Sequence, residues 1–286
     1  MKIMKKSILF CVLFTNLFLA SCSYAQEKIV FVKNREIHSM DPDGGNIKQL
    51  TNYKVPGHTP ISCRPSISKS GKICYIYDPL KHGWMSTYIM NIDGSNKRRL
   101  TNEPKSKDSG TWNSTISPNG HYVVFSSLRT NNHEKIYRMN IDGSELISIS
   151  NNTKGYPKWS PDSKYIIYET SNSIKGNDIV ITDINGNNKK TLIKSKDNLR
   201  YPTFSKDGKM IAFIKQKSNY AELIVANSNG KNQKKLLDID KWSRISFSSD
   251  SKSIVFVSKN ERISTINLDG TDYKELTKGR DPVWSF

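Results

Sequence analysis

The feature that most constrains this chain is a tight turn that recurs six times along it. Each copy has Asn or Asp at its first and third positions and Gly at its fourth. The copies occupy residues 41–44, 91–94, 140–143, 183–186, 227–230 and 267–270. Successive copies are roughly 40–50 residues apart, the period of a four-stranded propeller blade. The sequence therefore predicts an all-β fold, a six-bladed β-propeller with four antiparallel strands in each blade.

A second repeated turn, which opens with Ser, precedes a strongly apolar run in five of the repeats. These turns occupy residues 68–71, 117–120, 160–163, 205–208 and 248–251. Continuous Val, Ile and aromatic runs after them are typical of strands buried on both faces. A large hydrophobic residue directly precedes Ser in all six repeats, at Ile67, Ile116, Trp159, Phe204, Phe247 and Trp284. We predict that these six side chains pack between blades.

The sixth Ser-containing repeat is divided between the two ends of the chain. Residues 281–286 resemble an innermost strand, and residues 28–32, 35–40 and 47–51 supply the other three strands of that blade. Pairing the ends in one blade would close the ring and remove its open edges. We expect one propeller domain over 27–286, after a leader over 1–21 and a short linker over 22–26.

The N-terminus has the order of a bacterial secretory leader. Lys2, Lys5 and Lys6 precede an apolar stretch over 8–20, and the segment ends in Leu-Ala-Ser before Cys22. That ending resembles a lipobox, which predicts lipidation of Cys22 and a membrane anchor. Cleavage after Ala25 and an uncleaved anchor are the alternatives. We expect the protein on the periplasmic side of the bacterial envelope, and Ser at position 23 favours the outer over the inner membrane.

Basic residues outnumber acidic ones, 44 to 26, and the formal net charge is +18. One interpretation is a solvated surface that supports solubility. The other is attraction to an anionic polysaccharide, a lipid surface or an acidic protein partner. Export argues against nucleic acid as the partner. Cys63 and Cys74 flank one predicted hairpin, in a diagonal register that favours two buried thiols, with a disulfide as the alternative.

Residues just before the innermost strands are expected to converge at the mouth of the central channel. Arg and aromatic side chains, which dominate interface hot spots, recur at these positions. The candidate binding residues are Arg64, Trp112, Tyr156, Arg200, Tyr201, Trp242, Arg244 and Arg280. The alternative is that these side chains plug the channel or pack under loops.

Sequence motifs for catalysis are missing from this chain. There is no Gly-x-Ser-x-Gly elbow, no His-Glu-x-x-His and no Gly-rich phosphate loop. We expect no catalytic residues, no cofactor and no metal. A site formed by His58, His82 and His133, which fall in loops on the predicted ligand side, is the one metal-binding alternative.

Two segments resemble the repeat of the TolB family: residues 157–162, Pro-Lys-Trp-Ser-Pro-Asp, and residues 88–95, Tyr-Ile-Met-Asn-Ile-Asp-Gly-Ser. The resemblance implies a WD-repeat-like propeller that acts as a non-enzymatic protein-interaction module. It also implies an envelope partner, similar to a peptidoglycan-associated lipoprotein, docked at the channel mouth. The resemblance is to a family in which a small α/β domain precedes the propeller. We expect this chain to lack that domain.

The same repeat is found in propellers of prolyl-oligopeptidase-type enzymes, and some propeller lyases act on acidic sugars. The alternative function is therefore a propeller that binds or cleaves acidic polysaccharide, with the Arg ring for the sugar and the loop histidines for metal-assisted chemistry. A third alternative is one subunit of a larger assembly, without a ligand of its own.

Overall fold

A computed structural model describes residues 27–80, 85–102, 110–128, 134–150, 155–172 and 176–286. Within these ranges the chain forms 24 strands in six four-stranded antiparallel sheets, each of which is one blade. The predicted fold class is confirmed. The leader, the linker and Cys22 lie outside the described residues.

The blades follow one another along the chain. Blade 1 begins with β1 (Ile29–Lys33), β2 (Glu36–Met40) and β3 (Lys48–Gln49). Blade 2 contains β4 (Ile61–Ile67), β5 (Lys72–Asp78), β6 (Ser86–Asn91) and β7 (Arg98–Arg99). Blade 3 contains β8 (Thr111–Ile116), β9 (Tyr122–Ser127), β10 (Lys135–Asn140) and β11 (Ile147–Ser148). Blade 4 contains β12 (Lys158–Trp159), β13 (Tyr165–Asn172), β14 (Gly176–Asp183) and β15 (Lys190–Ile193). Blade 5 contains β16 (Asn198–Phe204), β17 (Met210–Gln216), β18 (Ala221–Asn227) and β19 (Lys234–Ile239). Blade 6 contains β20 (Ser246–Phe247), β21 (Ser253–Val257), β22 (Arg262–Asn267) and β23 (Lys274–Lys278), and β24 (Arg280–Trp284) then returns to blade 1.

The last strand closes the ring as predicted. β24 is the innermost strand of blade 1 and pairs antiparallel with β1, with Ile29 opposite Trp284. Two further hydrogen bonds continue the pairing: the Lys28 backbone N–H donates to Ser285 Oγ, and the Ser285 N–H donates to the Lys28 carbonyl, both at 2.8 Å. Blade 1 thereby gains its fourth strand, and the first and last strands of the chain are joined in one sheet.

The hydrophobic core lies between blades, which explains the apolar runs. One cluster combines Cys74 and Ile89 of blade 2 with Ile116, Val123 and Phe125 of blade 3. Five of the six predicted inter-blade hydrophobic residues are buried, and Phe204 is half-buried against the core. Strands packed on both faces therefore carry Val, Ile and aromatic residues on both faces.

The repeated turns also connect neighbouring blades. Gly94 has a φ of +88°. A Cβ added there would lie 2.9 Å from the carbonyl oxygen of Leu50, which follows β3 of blade 1. Glycine is required at this position because an L side chain rarely adopts that φ and no space is left for one. In the Ser-containing turns the hydroxyl organises the hairpin: Ser160 Oγ donates to Asp162 Oδ1 at 2.5 Å and accepts from the Tyr165 N–H at 2.9 Å.

Cys63 and Cys74 are two free, buried thiols, as the diagonal register favours. Cys63 lies opposite Ile76, whereas Cys74 lies opposite Ser66, so the two cysteines are not cross-strand partners. No helix in the described part of the chain has the length and hydropathy that a bilayer crossing requires.

Candidate binding site at the channel mouth

The innermost strands place one residue of each blade at an equivalent position around the central channel. This position is three residues before the inter-blade hydrophobic residue. We call the set the channel ring: Arg64, Asn113, Tyr156, Tyr201, Arg244 and Asp281. Four members, Arg64, Asn113, Tyr201 and Asp281, have φ between +51° and +55°, and the innermost strand shifts register at each of them. Such bulges redirect side chains, here within the strands that surround the channel.

Arg244 is the centre of the channel ring. Its Nε lies 2.9 Å from Asp281 Oδ1, and a terminal guanidinium nitrogen donates to Asn113 Oδ1 at 3.3 Å. The guanidinium carbon lies 4.8 Å and 4.9 Å from the ring centroids of Tyr156 and Tyr201. These distances permit cation–π attraction, and the ion pair partly offsets the burial of both charges.

Asp281 also accepts a hydrogen bond from the Arg64 backbone N–H, at 3.2 Å from its second oxygen. The network around Arg244 therefore includes a residue from each of the six blades. Side chains that are fixed from all sides hold their geometry when a ligand binds, which lowers the entropic cost of binding.

Beside the channel ring, a buried carboxylate supports Arg200. Arg200 Nε lies 4.0 Å from Glu169 Oε1, and the Tyr156 N–H donates to Glu169 Oε2 at 3.2 Å. Burial raises the pKa of Glu169 to about 7, and the Arg200 charge opposes this shift. The Arg200 guanidinium also lies 5.0 Å and 5.6 Å from the ring centroids of Tyr156 and Tyr201.

A cavity of about 1010 Å³ opens at the mouth of the channel, and four members of the channel ring besides Asp281 contribute to its lining. Basic side chains outnumber acidic ones here. The basic residues are Lys33, Arg35, Arg64, Arg244, Lys278 and Arg280, and the acidic ones are Asp240, Glu261 and Asp281. Trp242 also lines this cavity and is 60% exposed, the most exposed large hydrophobic residue of the described chain. The mouth thus combines an excess of positive charge with one exposed aromatic side chain.

Six of the eight predicted binding residues line this mouth cavity: Arg64, Tyr156, Tyr201, Trp242, Arg244 and Arg280. Arg200 contacts two of them without lining the cavity. Trp112 is half-buried in β8 opposite Ser126, outside the lining, and its neighbour Asn113 takes its place in the channel ring. Arg244 and the two tyrosines contact one another within the channel and also line the mouth. Binding of a partner by them stays a prediction.

Asn113, Asp281 and Glu169 were not among the predicted residues. One signal was available for the first two, because both occupy the channel-ring position when the six repeats are aligned on Ile116 and Trp284. For Glu169, the available signal was a carboxylate inside an otherwise apolar strand, a residue type that is almost never fully buried unless it is paired.

Of the three histidines in the predicted metal-binding alternative, the structure describes His58. His58 lines a separate, shallow cavity of about 690 Å³ together with Arg35, Glu36 and Tyr53. His82 and His133 lie outside the described residues. Within the described ranges, no group of three or more His, Cys, Asp or Glu residues is placed to hold a metal ion.

The closed ring of six four-stranded blades defines a β-propeller with a cavity at the mouth of its central channel. A family model described as the TolB beta propeller domain matches residues 75–244. The chain belongs to this family. No curated protein matches the chain by sequence.

Several solved structures share the fold. TolB from Acinetobacter baumannii superposes with a TM-score of 0.75 at 19% identity, over 92% of this chain and 67% of that one. A putative TolB from Agrobacterium tumefaciens superposes with a TM-score of 0.67 at 17% identity, over 90% of this chain and 91% of that one. An oligogalacturonate lyase in complex with manganese reaches a TM-score of 0.58 at 11% identity, over 85% of this chain and 70% of that one.

Proposed function

We propose that this chain is an exported β-propeller of the bacterial envelope that binds a protein partner at its channel mouth and catalyses no reaction. The observation that supports this most is the mouth cavity of about 1010 Å³, with exposed Trp242 at a basic lining. Aromatic and Arg side chains in such a position are the residue types that dominate binding energy at interfaces.

The charge of the mouth indicates what the partner presents. Six basic and three acidic residues line the cavity, and one of the acidic ones, Asp281, is already paired with Arg244. An acidic segment of the partner would meet the remaining positive charge, which increases the rate of association. By resemblance to the TolB family, we propose an envelope protein similar to a peptidoglycan-associated lipoprotein.

We further propose that Cys22 is lipidated and anchors the propeller, with the outer membrane as the favoured location. A Cys22→Ala variant should lose palmitate labelling and leave the membrane fraction, because the acyl chains supply the hydrophobic anchor. A Cys22→Ala protein that is still labelled, or that still lies in the membrane fraction, would contradict lipidation. Processing after Ala25 would instead give an unlabelled soluble protein from both the wild type and the variant.

Site-specific photo-crosslinking tests the docking site directly. A photoreactive amino acid replaces Trp242 at the mouth, and in a matched protein it replaces Tyr165, which is 44% exposed at the start of β13. We expect one envelope protein to be captured from position 242 and not from position 165. Equal capture from both positions, or none from position 242, would reject docking at the mouth.

Two substitutions then connect capture to the chemistry of the mouth. Trp242→Ala should weaken binding of the captured protein by at least about 1 kcal/mol, the threshold for a contributing interface residue. Arg280→Gln should weaken it mainly at low salt, because exposed charges are screened as the ionic strength rises. Tyr165→Ala serves as the control and should bind as the wild type does.

An acidic polysaccharide is the second candidate ligand, since the same excess of positive charge fits uronate groups. A structurally similar propeller is an oligogalacturonate lyase in complex with manganese. Incubation with polygalacturonate, with and without Mn²⁺, distinguishes the two functions. Tight binding or an unsaturated product that absorbs in the ultraviolet would favour the polysaccharide, whereas our proposal expects neither.

A further inference from the structure

A second, smaller cavity lies on the channel axis, between the channel ring and the Ser-containing turns. Its volume is about 70 Å³, and every blade contributes to its lining. One residue per blade, directly before the inter-blade hydrophobic residue, surrounds it: Ser66, Thr115, Lys158, Thr203, Ser246 and Val283. Pro118, Pro161, Lys206 and Phe286 line it on the side of the turns. We call this cavity the lower chamber.

Two lysines bring positive charge into the lower chamber. Lys206 Nζ donates to the Trp284 carbonyl oxygen at 3.2 Å and lies 3.4 Å from the ring centroid of Phe286. Lys158 extends into the chamber from blade 4, on the neighbouring side. Among the residues that the structure describes, no carboxylate forms an ion pair with either ammonium group.

The charged side chains around the two lysines do not balance. The positive groups are Lys69, Lys158, Lys206 and Arg244, and the negative ones are Asp281 and Glu27. Asp281 is bound to Arg244, and Glu27 accepts a hydrogen bond from the Ser249 N–H at 3.1 Å. Burial lowers the pKa of Lys158 to about 8 and that of Lys206 to about 7, and each is lowered further by a neighbouring cation, Arg244 and Lys158 respectively.

Three hydroxyl groups of the lower chamber already form hydrogen bonds to neighbouring blades. Ser66 Oγ accepts from the Ile116 N–H at 3.0 Å, Thr115 Oγ1 donates to the Pro157 carbonyl at 3.0 Å, and Ser246 Oγ accepts from the Trp284 N–H at 3.1 Å. The two ammonium groups and the Thr203 hydroxyl are the donors that remain for a ligand among the described lining residues.

We propose that the lower chamber binds one small inorganic anion between the ammonium groups of Lys158 and Lys206. The volume of about 70 Å³ exceeds the roughly 10–15 Å³ that one buried water requires, so the chamber accommodates chloride or a phosphate-sized oxyanion. It is far smaller than the mouth cavity of about 1010 Å³. This site is independent of the mouth, from which Arg244 and the two tyrosines of the channel ring separate it.

A bound anion would keep both lysines charged and connect three blades. Lys158 belongs to blade 4 and Lys206 to blade 5, and the carbonyl that Lys206 contacts belongs to Trp284 of the closing strand β24. An anion that binds the folded state and not the unfolded one stabilises the fold by mass action. The proposal therefore predicts a saturable, anion-specific rise in stability.

Titration calorimetry and thermal unfolding of the exported chain at pH 6.5 test this, at constant ionic strength with gluconate as the bulky reference anion. Chloride and inorganic phosphate are titrated separately, and the tighter of the two identifies the preferred anion. We expect one equivalent to bind. Lys158→Met and Lys206→Met should each weaken binding by about tenfold, which corresponds to the loss of one favourable charge interaction. Lys252→Gln, which removes an exposed lysine, is the control and should leave the affinity unchanged.

Two further measurements use the wild-type protein and therefore do not depend on the folding of a lysine variant. The chloride affinity of the wild type should fall between pH 6.5 and pH 8.5, because the two lysines lose their protons over that range and chloride itself does not titrate. A bromide-soaked crystal should show an anomalous peak between the two ammonium groups. Absence of that peak, a pH-independent affinity, or equal stabilisation of wild type and Lys158→Met by every salt would overturn the proposal.

Discussion

Arg244 of blade 6 and Asp281 of the neighbouring blade 1 form an ion pair at the central channel, with Nε and Oδ1 2.9 Å apart. Asp281 belongs to β24, the strand that closes the ring by pairing with β1. Arg244 precedes the innermost strand of blade 6 and packs on Tyr156 and Tyr201 of blades 4 and 5. The contact that separates the mouth from the lower chamber therefore also connects the closing strand to the blades opposite it.

We expect Asp281→Asn to destabilise the propeller, because it leaves the Arg244 guanidinium without its carboxylate. Removing one partner of a fully buried pair costs about 3–5 kcal/mol. Both side chains are 14% exposed and face a cavity, so we expect a loss of about 2 kcal/mol in the free energy of unfolding. Urea unfolding followed by tryptophan fluorescence measures it.

The matched control is Asp272→Asn. Asp272 is 53% exposed and pairs with Lys274 at 2.9 Å on the surface, where an ion pair contributes about 0–1 kcal/mol. Similar losses from both substitutions would show that the Arg244–Asp281 pair has no special role in closing the ring.

Glu169 gives the propeller a stability that depends on pH. Burial raises its pKa from the ordinary 4.5 to about 7, so the folded state retains a proton that the unfolded state has released. The stabilisation is full below pH 4.5 and is lost as the pH rises through 7. One pKa unit corresponds to about 1.4 kcal/mol, so the full loss amounts to about 3–4 kcal/mol.

Glu169→Gln removes this ionisation and keeps an oxygen for the Tyr156 N–H. We expect the unfolding free energy of the wild type, minus that of the variant, to fall by about 3 kcal/mol between pH 4.5 and pH 8. Glu145→Gln, at an exposed site, should give a curve parallel to the wild type. Parallel curves for Glu169→Gln as well would show that burial does not shift the titration of this carboxyl group.

Trp159 combines inter-blade packing with a hydrogen bond, and two substitutions separate these contributions. Its indole Nε1–H donates to the Thr115 carbonyl at 3.0 Å, and its ring stacks on Tyr122 with centroids 6.0 Å apart. Trp159→Ala should cost about 3–5 kcal/mol of unfolding free energy through the cavity that it leaves. Trp159→Phe keeps much of the apolar volume and should cost about 1–3 kcal/mol, mainly from the unpaired Thr115 carbonyl.

Exposed Trp242→Ala is the reference for these measurements. It should change the stability by less than about 0.5 kcal/mol, because a surface substitution removes little packing. If Trp159→Phe proved as costly as Trp159→Ala, the hydrogen bond would outweigh the packing and the argument from apolar volume would be wrong.

The blade count and the inter-blade hydrophobic residues could be predicted because each is set by a local pattern that the chain repeats. A turn that needs Gly, such as the one at Gly94, and a buried position such as Trp159 have the same requirements in every blade. Closure of the ring followed from the same pattern, since residues 281–286 match the start of a repeat that lacks its remaining strands.

The channel ring was only partly predictable, because it depends on backbone bulges and on contacts between distant blades. At blade 3 the bulge places Asn113, rather than the more conspicuous Trp112, at the ring position. The pairing of Arg244 with Asp281 joins residues that are 37 positions apart, and Arg244 also reaches Asn113, 131 positions away. Neither distance is encoded in the local pattern of a single repeat.

The repeated turns offer a final test, because two of them share a backbone conformation and differ in their surroundings. Gly230 has a φ of +81°, and an added Cβ would lie 2.6 Å from the Leu192 carbonyl oxygen of the preceding blade. Gly270 has a φ of +97°, and no described atom lies within 4 Å of such a Cβ. Gly270→Ala should cost about 1–2 kcal/mol for the left-handed conformation alone. Gly230→Ala should cost a further 1–3 kcal/mol or so from overpacking against backbone. Urea unfolding of the two variants gives the comparison, and equal losses would mean that the turn of blade 5 moves away from blade 4 without cost.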